Sequence, residues 1–150
     1  MNYLFDTNLL LLKLRQHPQW QTVYDTYRLD SATNILSIIS VAELYSLALR
    51  NHWGAARLTQ IENLRKEFAE IDIYYEEVIQ KYAEIDAFSQ GKLAHKPLNV
   101  SSRNMGKNDL WIAAIASVFD LTLLTTDADF NHLNKTFLNV EFISLQNLKV

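Results

Sequence analysis

Short apolar runs recur along the chain, and most of them end at a polar or acidic residue. A short run rich in β-branched residues is typical of a buried strand, whereas apolar residues at helical spacing indicate a helix. The sequence therefore predicts five strands, at residues 2–5, 35–39, 68–73, 121–125 and 140–144. It predicts helices between them, at 9–16, 18–27, 40–51, 55–66, 76–90, 109–119 and 127–133. This alternation predicts an α/β fold of three layers, with a mostly parallel sheet of about five strands flanked by helices.

The composition narrows the class of protein. A chain of 150 residues, 49% hydrophobic and 21% charged, predicts one globular domain over residues 1–150. The absence of Cys excludes disulfides, zinc ribbons and thiol nucleophiles, and it agrees with the cytoplasmic location that we expect. No signal peptide or membrane span is predicted. The net charge of −3 argues against a passive nucleic-acid coat, but not against an enzyme that binds cations through carboxylates.

Acidic residues stand where predicted strands end or helices begin. Asp6 directly follows the first strand, Glu43 lies in the first turn after the second, and Asp109 opens an Ala-rich helix. Asp127 follows the fourth strand, with Asp129 two residues further on. Because the carboxyl ends of parallel strands share one edge of the sheet, we expect these acids to converge. Carboxylate oxygens suit Mg²⁺ or Mn²⁺, and such a site can activate water and stabilise the charge that develops on a phosphodiester.

Each acid taken alone also has a structural interpretation. Ser40 and Glu43 have the spacing of a capping box, in which the glutamate only satisfies a backbone N–H. Asp6, Asp109 and Asp127 stand where acids commonly cap a helix or interact with its dipole. Capping gives no reason for four like charges to converge, and converging charges would repel one another without cations. The sequence leaves both interpretations open.

Four segments that contain these acids resemble, in order and spacing, the motifs of PIN-domain nucleases. They are Leu4-Phe5-Asp6-Thr7-Asn8, Ile39-Ser40-Val41-Ala42-Glu43-Leu44, Asn108-Asp109-Leu110-Trp111-Ile112-Ala113-Ala114 and Leu124-Thr125-Thr126-Asp127-Ala128-Asp129-Phe130. The resemblance covers essentially the whole chain. The compact size is similar to that of the VapC-type toxins of bacterial toxin–antitoxin pairs.

The resemblance implies an endoribonuclease that uses Mg²⁺, with Mn²⁺ as the alternative ion, to cut tRNA, rRNA or mRNA and that inhibits translation or growth. It implies a cognate antitoxin protein and a homodimer as partners. The residues implied as catalytic metal ligands are Asp6, Glu43, Asp109 and Asp127. The residues implied as supporting the site are Asn8, Ser40, Thr125 and Asp129.

The segment 87–108 contains four cations and no Asp or Glu, and we predict that most of it is an exposed loop. Its cations, which could contact the RNA backbone beside the acids, are Lys92, Lys96, Arg103 and Lys107. Ordinary solvated surface charge is the alternative, and the sequence does not decide between them.

Other classes of protein fit less well. A haloacid-dehalogenase-type phosphatase needs a second Asp two residues after the first, where this chain has Asn8. A response-regulator receiver domain needs an acidic pair near the first strand and a Lys after a late strand, and both are missing. Gly-rich nucleotide-binding loops are absent, and the four His residues do not form a metal-ligand spacing. The non-enzyme alternative is a catalytically silent PIN-like module that binds RNA or serves as a scaffold.

Early aromatic residues have two possible roles. An interface with a second copy and an antitoxin is implied by the resemblance, and burial in the core is the simpler explanation. The residues concerned are Trp20, Tyr24, Tyr27, Tyr45 and Trp53.

Overall fold

A computed structural model describes residues 1–145 of the chain. Its five strands form one sheet in the order β3-β2-β1-β4-β5, and every neighbouring pair is parallel. The strands are β1 (Asn2–Phe5), β2 (Thr33–Ser37), β3 (Ala69–Ile71), β4 (Thr122–Thr125) and β5 (Asn139–Phe142). The predicted α/β fold with a parallel central sheet is confirmed.

Helices connect the strands and cover both faces of the sheet. The helices are α1 (Thr7–Leu14), α2 (Pro18–Thr26), α3 (Ile38–Arg50), α4 (Ala55–Glu67), α5 (Glu76–Ser89) and α6 (Lys107–Val118), and a 3-10 helix spans Ala128–Leu133. Within residues 1–145, no helix combines the length and apolar character that crossing a membrane requires.

Alternation along the strands produces two apolar cores. Tyr3 and Phe5 of β1 face the core that α1 to α4 cover, whereas Leu4 faces the core formed with α5 and α6. In β4, Leu123 and Leu124 divide between the two cores in the same way. Successive side chains of a strand point to opposite faces, so a sheet covered on both sides needs apolar residues at consecutive positions. This requirement explains why the runs in the sequence are continuous rather than alternating.

The boundary between β2 and α3 differs from the predicted one. The strand ends at Ser37 and the helix begins at Ile38, so the apolar pair Ile38 and Ile39 belongs to the helix. The cause is local, since the Ser37 side chain accepts a hydrogen bond from the Ser40 backbone N–H at 3.1 Å and caps the helix. A run of β-branched residues therefore gave the wrong end for this strand.

The chain order reverses beside β1. From β1 the chain proceeds through β2 to β3 on one side, and then crosses to β4 and β5 on the other side. In an open parallel sheet, ligands bind at such a switch point, outside the carboxyl ends of the strands. Asp6 follows β1 at this position, and Asp127 follows the neighbouring strand β4.

Candidate active site

Asp6 is held firmly between β1 and β4. Its backbone N–H donates to the Leu124 carbonyl at 3.0 Å, which extends the sheet pairing by one residue. Its side chain is 5% exposed and caps α1, with one oxygen accepting from the Thr7 N–H at 2.8 Å. The other oxygen accepts from the Thr125 hydroxyl at 2.7 Å. One carboxylate oxygen is therefore positioned by a donor at the start of α1 and the other by a donor at the end of β4.

Thr125 joins Asp6 to Asp127. It is fully buried, and its oxygen also accepts a hydrogen bond from the Asp127 backbone N–H at 3.0 Å. Asp127 in turn caps the 3-10 helix, accepting from the Asp129 N–H at 2.9 Å. Asp6 and Asp127 are thus both caps and members of one network, so the two interpretations of these acids do not exclude each other.

Glu43 reaches the same network from the opposite direction. It lies one turn inside α3, and its carboxylate accepts from the Thr7 hydroxyl at 2.8 Å. The Thr7 and Ser40 oxygens are 2.9 Å apart. Because a hydroxyl has one proton and the carboxylate is the stronger acceptor, Ser40 donates to Thr7 and Thr7 donates to Glu43. Ser37 caps α3, so the capping-box interpretation of Ser40 and Glu43 is wrong.

Thr7 is the residue that the sequence analysis missed. It is 5% exposed and bonds to Asp6 through its backbone and to Ser40 and Glu43 through its hydroxyl. Its position, directly after an acid at a strand end, was the available signal. A hydroxyl residue there can serve a neighbouring acid as well as its own helix.

Asp109 differs from the other acids because no donor satisfies it. It lies in the first turn of α6, and its carboxylate accepts no hydrogen bond from any residue in the range 1–145. Gly106 leaves room for the side chain, since a Cβ at that position would be 3.4 Å from Asp109 Oδ2. Gly106 caps the helix without a side-chain bond, so Asp109 is not the N-cap residue of its helix.

Electrostatics show that the acids face one another. Burial, followed by repulsion from Asp6, Asp127, Glu43 and Asp129 in decreasing order, raises the pKa of Asp109 to about 7. The pKa of Asp6 is also raised, chiefly by burial, although the hydrogen bonds from Thr125 and Thr7 act in the opposite direction. The charges of Glu43 and Asp127 contribute to raising it. The fold therefore brings all four predicted acids into one electrostatic environment.

Although the acids influence one another's pKa, their carboxylates are spaced more widely than a shared metal site requires. Over residues 1–145, no three His, Cys, Asp or Glu side chains lie close enough together to hold a metal ion in common. The Glu43 carboxylate accepts a hydrogen bond from the Thr7 hydroxyl, and the Asp127 carboxylate accepts one from the Asp129 backbone N–H. The donor set itself consists of carboxylates whose charges repel, which is the chemistry that Mg²⁺ and Mn²⁺ require. The chemistry of these residues therefore fits such an ion.

A groove opens directly from this centre between α1, α3 and the start of α6. Its volume is about 710 Å³. The polar and charged residues that line it are Thr7, Asn8, Glu43, Ser46, Arg50 and Asn108. Asn8, predicted to support the acids, is exposed on this groove, and its side chain makes no hydrogen bond with any other residue between 1 and 145.

The basic segment is spread over different surroundings. Lys96 Nζ lies 4.4 Å from the centre of the Phe137 ring, near the amino end of β5 and thus away from the edge that carries the acids. Arg103 Nη1 is 3.9 Å from Asp129, the acid next to the centre. Lys92 is exposed in a small cavity that Arg103 also lines, and Lys107 is exposed at the start of α6. Two of the four cations are therefore next to the acids: Arg103 lies beside Asp129, and Lys107 is two residues before Asp109 in α6.

Behind the 3-10 helix lies a second polar cluster that the sequence did not predict. His132 Nε2 is 2.7 Å from the hydroxyl of Ser89, which is fully buried in α5. Burial and the nearby Arg103 charge lower the pKa of His132, so the ring is neutral at neutral pH. Because Ser89 has no exposed surface, this pair is not a hydrolytic Ser–His site. Its geometry fixes the 3-10 helix, and hence Asp127 and Asp129, against α5.

The early aromatic residues are partly buried and pack against the core on the α1–α4 face. This holds for Trp20, Tyr24, Tyr27, Tyr45 and Trp53. The core explanation therefore accounts for these side chains. The most exposed large apolar side chains are elsewhere, at Tyr74, Leu49 and Met1.

Comparison with known proteins agrees with this fold. The family model described as PIN domain matches residues 3–136. No curated protein matches the chain. Among solved structures, VapBC2 from Rickettsia felis, bound to a DNA fragment from its promoter, is 22% identical, with a TM-score of 0.77 over 95% of this chain and 98% of that one.

Two further structures are similar. VapBC-1 from nontypeable Haemophilus influenzae is 23% identical, with a TM-score of 0.71 over 95% of this chain and 98% of that one. A toxin–antitoxin complex from Klebsiella pneumoniae is 18% identical, with a TM-score of 0.67 over 93% of this chain and 95% of that one. At these identities the likeness to the solved structures shows the shared fold.

Proposed function

The chain belongs to the PIN-domain family, and we propose that it is a metal-dependent endoribonuclease that acts as the toxin of a toxin–antitoxin pair. PIN domains are generally nucleases, which sets the class of reaction. The observation that carries the proposal is the placement of Asp109, a half-buried acid that accepts no hydrogen bond within residues 1–145 and whose pKa is raised by burial and by repulsion from four other carboxylates. A fold that needed this acid only as a helix cap would have no reason to place it among like charges.

We propose that Asp6, Glu43, Asp109 and Asp127 would together hold Mg²⁺ or Mn²⁺. When bound there, a divalent cation supplies activation of water and neutralisation of the charge that develops on the phosphodiester. The protein contributes positions. Thr125 and the Thr7 backbone fix both oxygens of Asp6, while Thr7 and Ser40 orient Glu43. Asp109 is the acid left available, and offsetting the surrounding negative charge would favour its ionised form.

The substrate and partners are inferred from different observations. The groove beside the acids is open and carries amides and a guanidinium, which suits a single strand of RNA from tRNA, rRNA or mRNA better than a small molecule. Similar folds occur in two VapBC structures and in a structure described as a toxin–antitoxin complex, and this supports a cognate antitoxin as partner. The homodimer implied by the sequence resemblance is part of the same proposal.

Cleavage of RNA by the purified protein tests the enzymatic part. We expect cleavage with Mg²⁺ or Mn²⁺ that EDTA abolishes, and loss of cleavage in Asp6→Asn and Asp109→Asn. Asp30→Asn is the matched control, because Asp30 is exposed in a turn between α2 and β2. Folded variants that cleave like the wild type would contradict the proposal. Binding of RNA without any cleavage by the wild type would instead identify a silent binding module.

Growth measurements test the biological part. Induced expression should arrest growth, Asp109→Asn should not, and co-expression of a protein from the adjacent gene should relieve the arrest. Growth arrest that persists with Asp109→Asn would contradict a toxic nuclease, since the variant lacks the acid on which the mechanism depends.

A further inference from the structure

The groove beside the acids is lined by one positively charged side chain, Arg50, which is aligned with Glu43 along α3. Among the residues that line the groove, only Glu43 and Arg50 are charged. Both are on α3, with Ser46 between them, so the three occur at intervals of three and four residues and share one side of the helix. Seven residues of helix correspond to about 10 Å, the rise of roughly three stacked nucleotides.

Arg50 has no partner in the part of the chain that the structure describes. Over residues 1–145 no hydrogen bond, ion pair or aromatic contact involves its guanidinium. Several other cations are engaged: Lys13 pairs with Glu67, Arg65 pairs with Glu70, and Arg57 lies 4.9 Å from the centre of the Trp53 ring. Arg50 also lies in the last turn of α3, where its charge interacts favourably with the helix dipole. An experiment must therefore separate a ligand-binding role from this local effect.

The rest of the groove suits a nucleic-acid strand. Asn8 and Asn108 flank it from the first turns of α1 and α6, and both side chains are exposed. Amides can pair with the edges of unstacked bases, and a guanidinium fork matches the oxygens of a phosphate. Leu11, Ile39 and Leu47 supply an apolar floor. No acid other than Glu43 lines the groove, so a phosphate backbone that leaves the centre meets no further negative charge there.

We propose that this groove binds single-stranded RNA on one side of the acidic centre, with Arg50 contacting a phosphate about three nucleotides from the scissile bond. Asn8 and Asn108 contact the intervening nucleotides. Arg103 lies beside Asp129, next to the centre, and is the cation placed to contact the strand where it leaves the groove. This inference rests on the proposed function and adds the path of the substrate and a residue that the sequence did not suggest.

Binding, rather than cleavage, tests this path. The probe is a short fluorescein-labelled single-stranded RNA of mixed sequence, and fluorescence anisotropy is measured over a series of KCl concentrations with Mg²⁺ present. Every protein carries Asp109→Asn to prevent cleavage. We expect Arg50→Ala to weaken binding about tenfold and to reduce the salt slope by about 0.7, the value for one phosphate contact with a single strand. Arg50→Lys should keep the salt slope and lose part of the affinity, because it retains the charge but not the fork.

Two controls separate the groove from general charge and from helix stability. Arg15→Ala removes an exposed arginine outside the groove, and it should leave the affinity nearly unchanged. Ser46→Trp should obstruct the groove and weaken binding without changing the salt slope. Leu49→Trp, on α3 but outside the groove, should have little effect.

The proposal is overturned if Arg50→Ala behaves like Arg15→Ala, or if no protein in the series binds the RNA. Because no cleavage is required, a protein that binds through Arg50 but never cuts RNA would contradict only the proposed enzymatic function. A protein that cuts RNA and is indifferent to Arg50 would contradict only the proposed path.

Discussion

Asp6 and Asp109 contribute the same carboxyl group to one centre, yet their surroundings are opposite. Asp6 follows a central strand, is 5% exposed and has a donor on each oxygen. Asp109 begins a helix, is only partly buried and has no donor within residues 1–145. Burial raises the pKa of both, but hydrogen bonds oppose the shift only for Asp6.

The comparison separates two tasks within a proposed ligand set. The donors that fix Asp6 preorganise the centre. The same donors occupy the lone pairs that a ligand would use. Asp109 has the reverse character, because it is available to a cation but costs stability whenever it is ionised without one. Such local destabilisation is expected where a site is kept ready for a charged ligand.

The largest expected effect is on activity. Asp109→Asn should reduce RNA cleavage by about a thousandfold, because it removes the proposed ligand whose oxygens accept no hydrogen bond within residues 1–145. Single-turnover cleavage with saturating Mg²⁺ measures the change, and circular dichroism checks the fold. A loss of less than about tenfold would show that Asp109 is not needed as a ligand.

The Asp6 side of the comparison predicts a loss of stability. Thr125→Val removes the donor to Asp6 and the acceptor for the Asp127 N–H, leaving a buried carboxylate oxygen and a partly buried N–H unsatisfied. The free energy of unfolding should fall by about 2–3 kcal/mol in urea denaturation. Thr122→Val is the control, because Thr122 lies in the same strand and its hydroxyl bonds to no residue in the described chain. Equal losses in the two variants would mean that the network around Asp6 adds little.

The raised pKa of Asp109 predicts that the free energy of unfolding depends on pH. Its folded pKa of about 7 lies above the ordinary value of 3.8, so the folded state binds the proton more tightly than the unfolded state does. This contribution is complete below pH 4 and is lost as the pH rises to about 7. Relative to Asp109→Asn, the wild type should therefore lose about 2 kcal/mol over this window, allowing for solvent screening of a half-buried group.

Urea denaturation of both proteins across this pH window, without divalent cations, measures the difference. If the two stabilities change in parallel with pH, Asp109 does not carry the raised pKa. If Asp109→Asn is more stable than the wild type but does not cleave RNA, Asp109 serves activity and not stability.

The smallest expected effect comes from the cation itself. At alkaline pH, Mn²⁺ at about ten times its dissociation constant should stabilise the wild type by about 1.4 kcal/mol. Asp109→Asn should gain much less, because the uncompensated charge is gone. Thermal unfolding with MnCl₂, compared with NaCl at equal ionic strength, measures this. Equal stabilisation of the two proteins would place the bound ion away from Asp109.

Sequence patterns predicted much of this arrangement because their causes are local. An apolar run that stops at Asp6 or Asp127 marks a strand end, and parallel strands carry their ends to one edge. The same reasoning failed for Ile38 and Ile39, where a single cap at Ser37 outweighed β-branched character. The sequence also predicted one role for four cations, Lys92, Lys96, Arg103 and Lys107. In the structure, Lys96 instead lies against the Phe137 ring, away from the acids.

By itself, the sequence determined the fold class, the family, and which acids stand at strand ends and helix starts, because these depend on residues close together in the chain. Only the tertiary structure decided which hydrogen-bond donors and which charges surround each acid. Thr7 meets Ser40 and Glu43 across more than thirty residues, and Thr125 meets Asp6 across more than a hundred. The pKa of Asp109 likewise depends on burial and on four charges brought from three other segments, and the groove beside Arg50 exists only once α1, α3 and α6 pack together. Hydrogen bonds and desolvation act between neighbours in space, so the chain order alone could not reveal which acid is satisfied and which is left open.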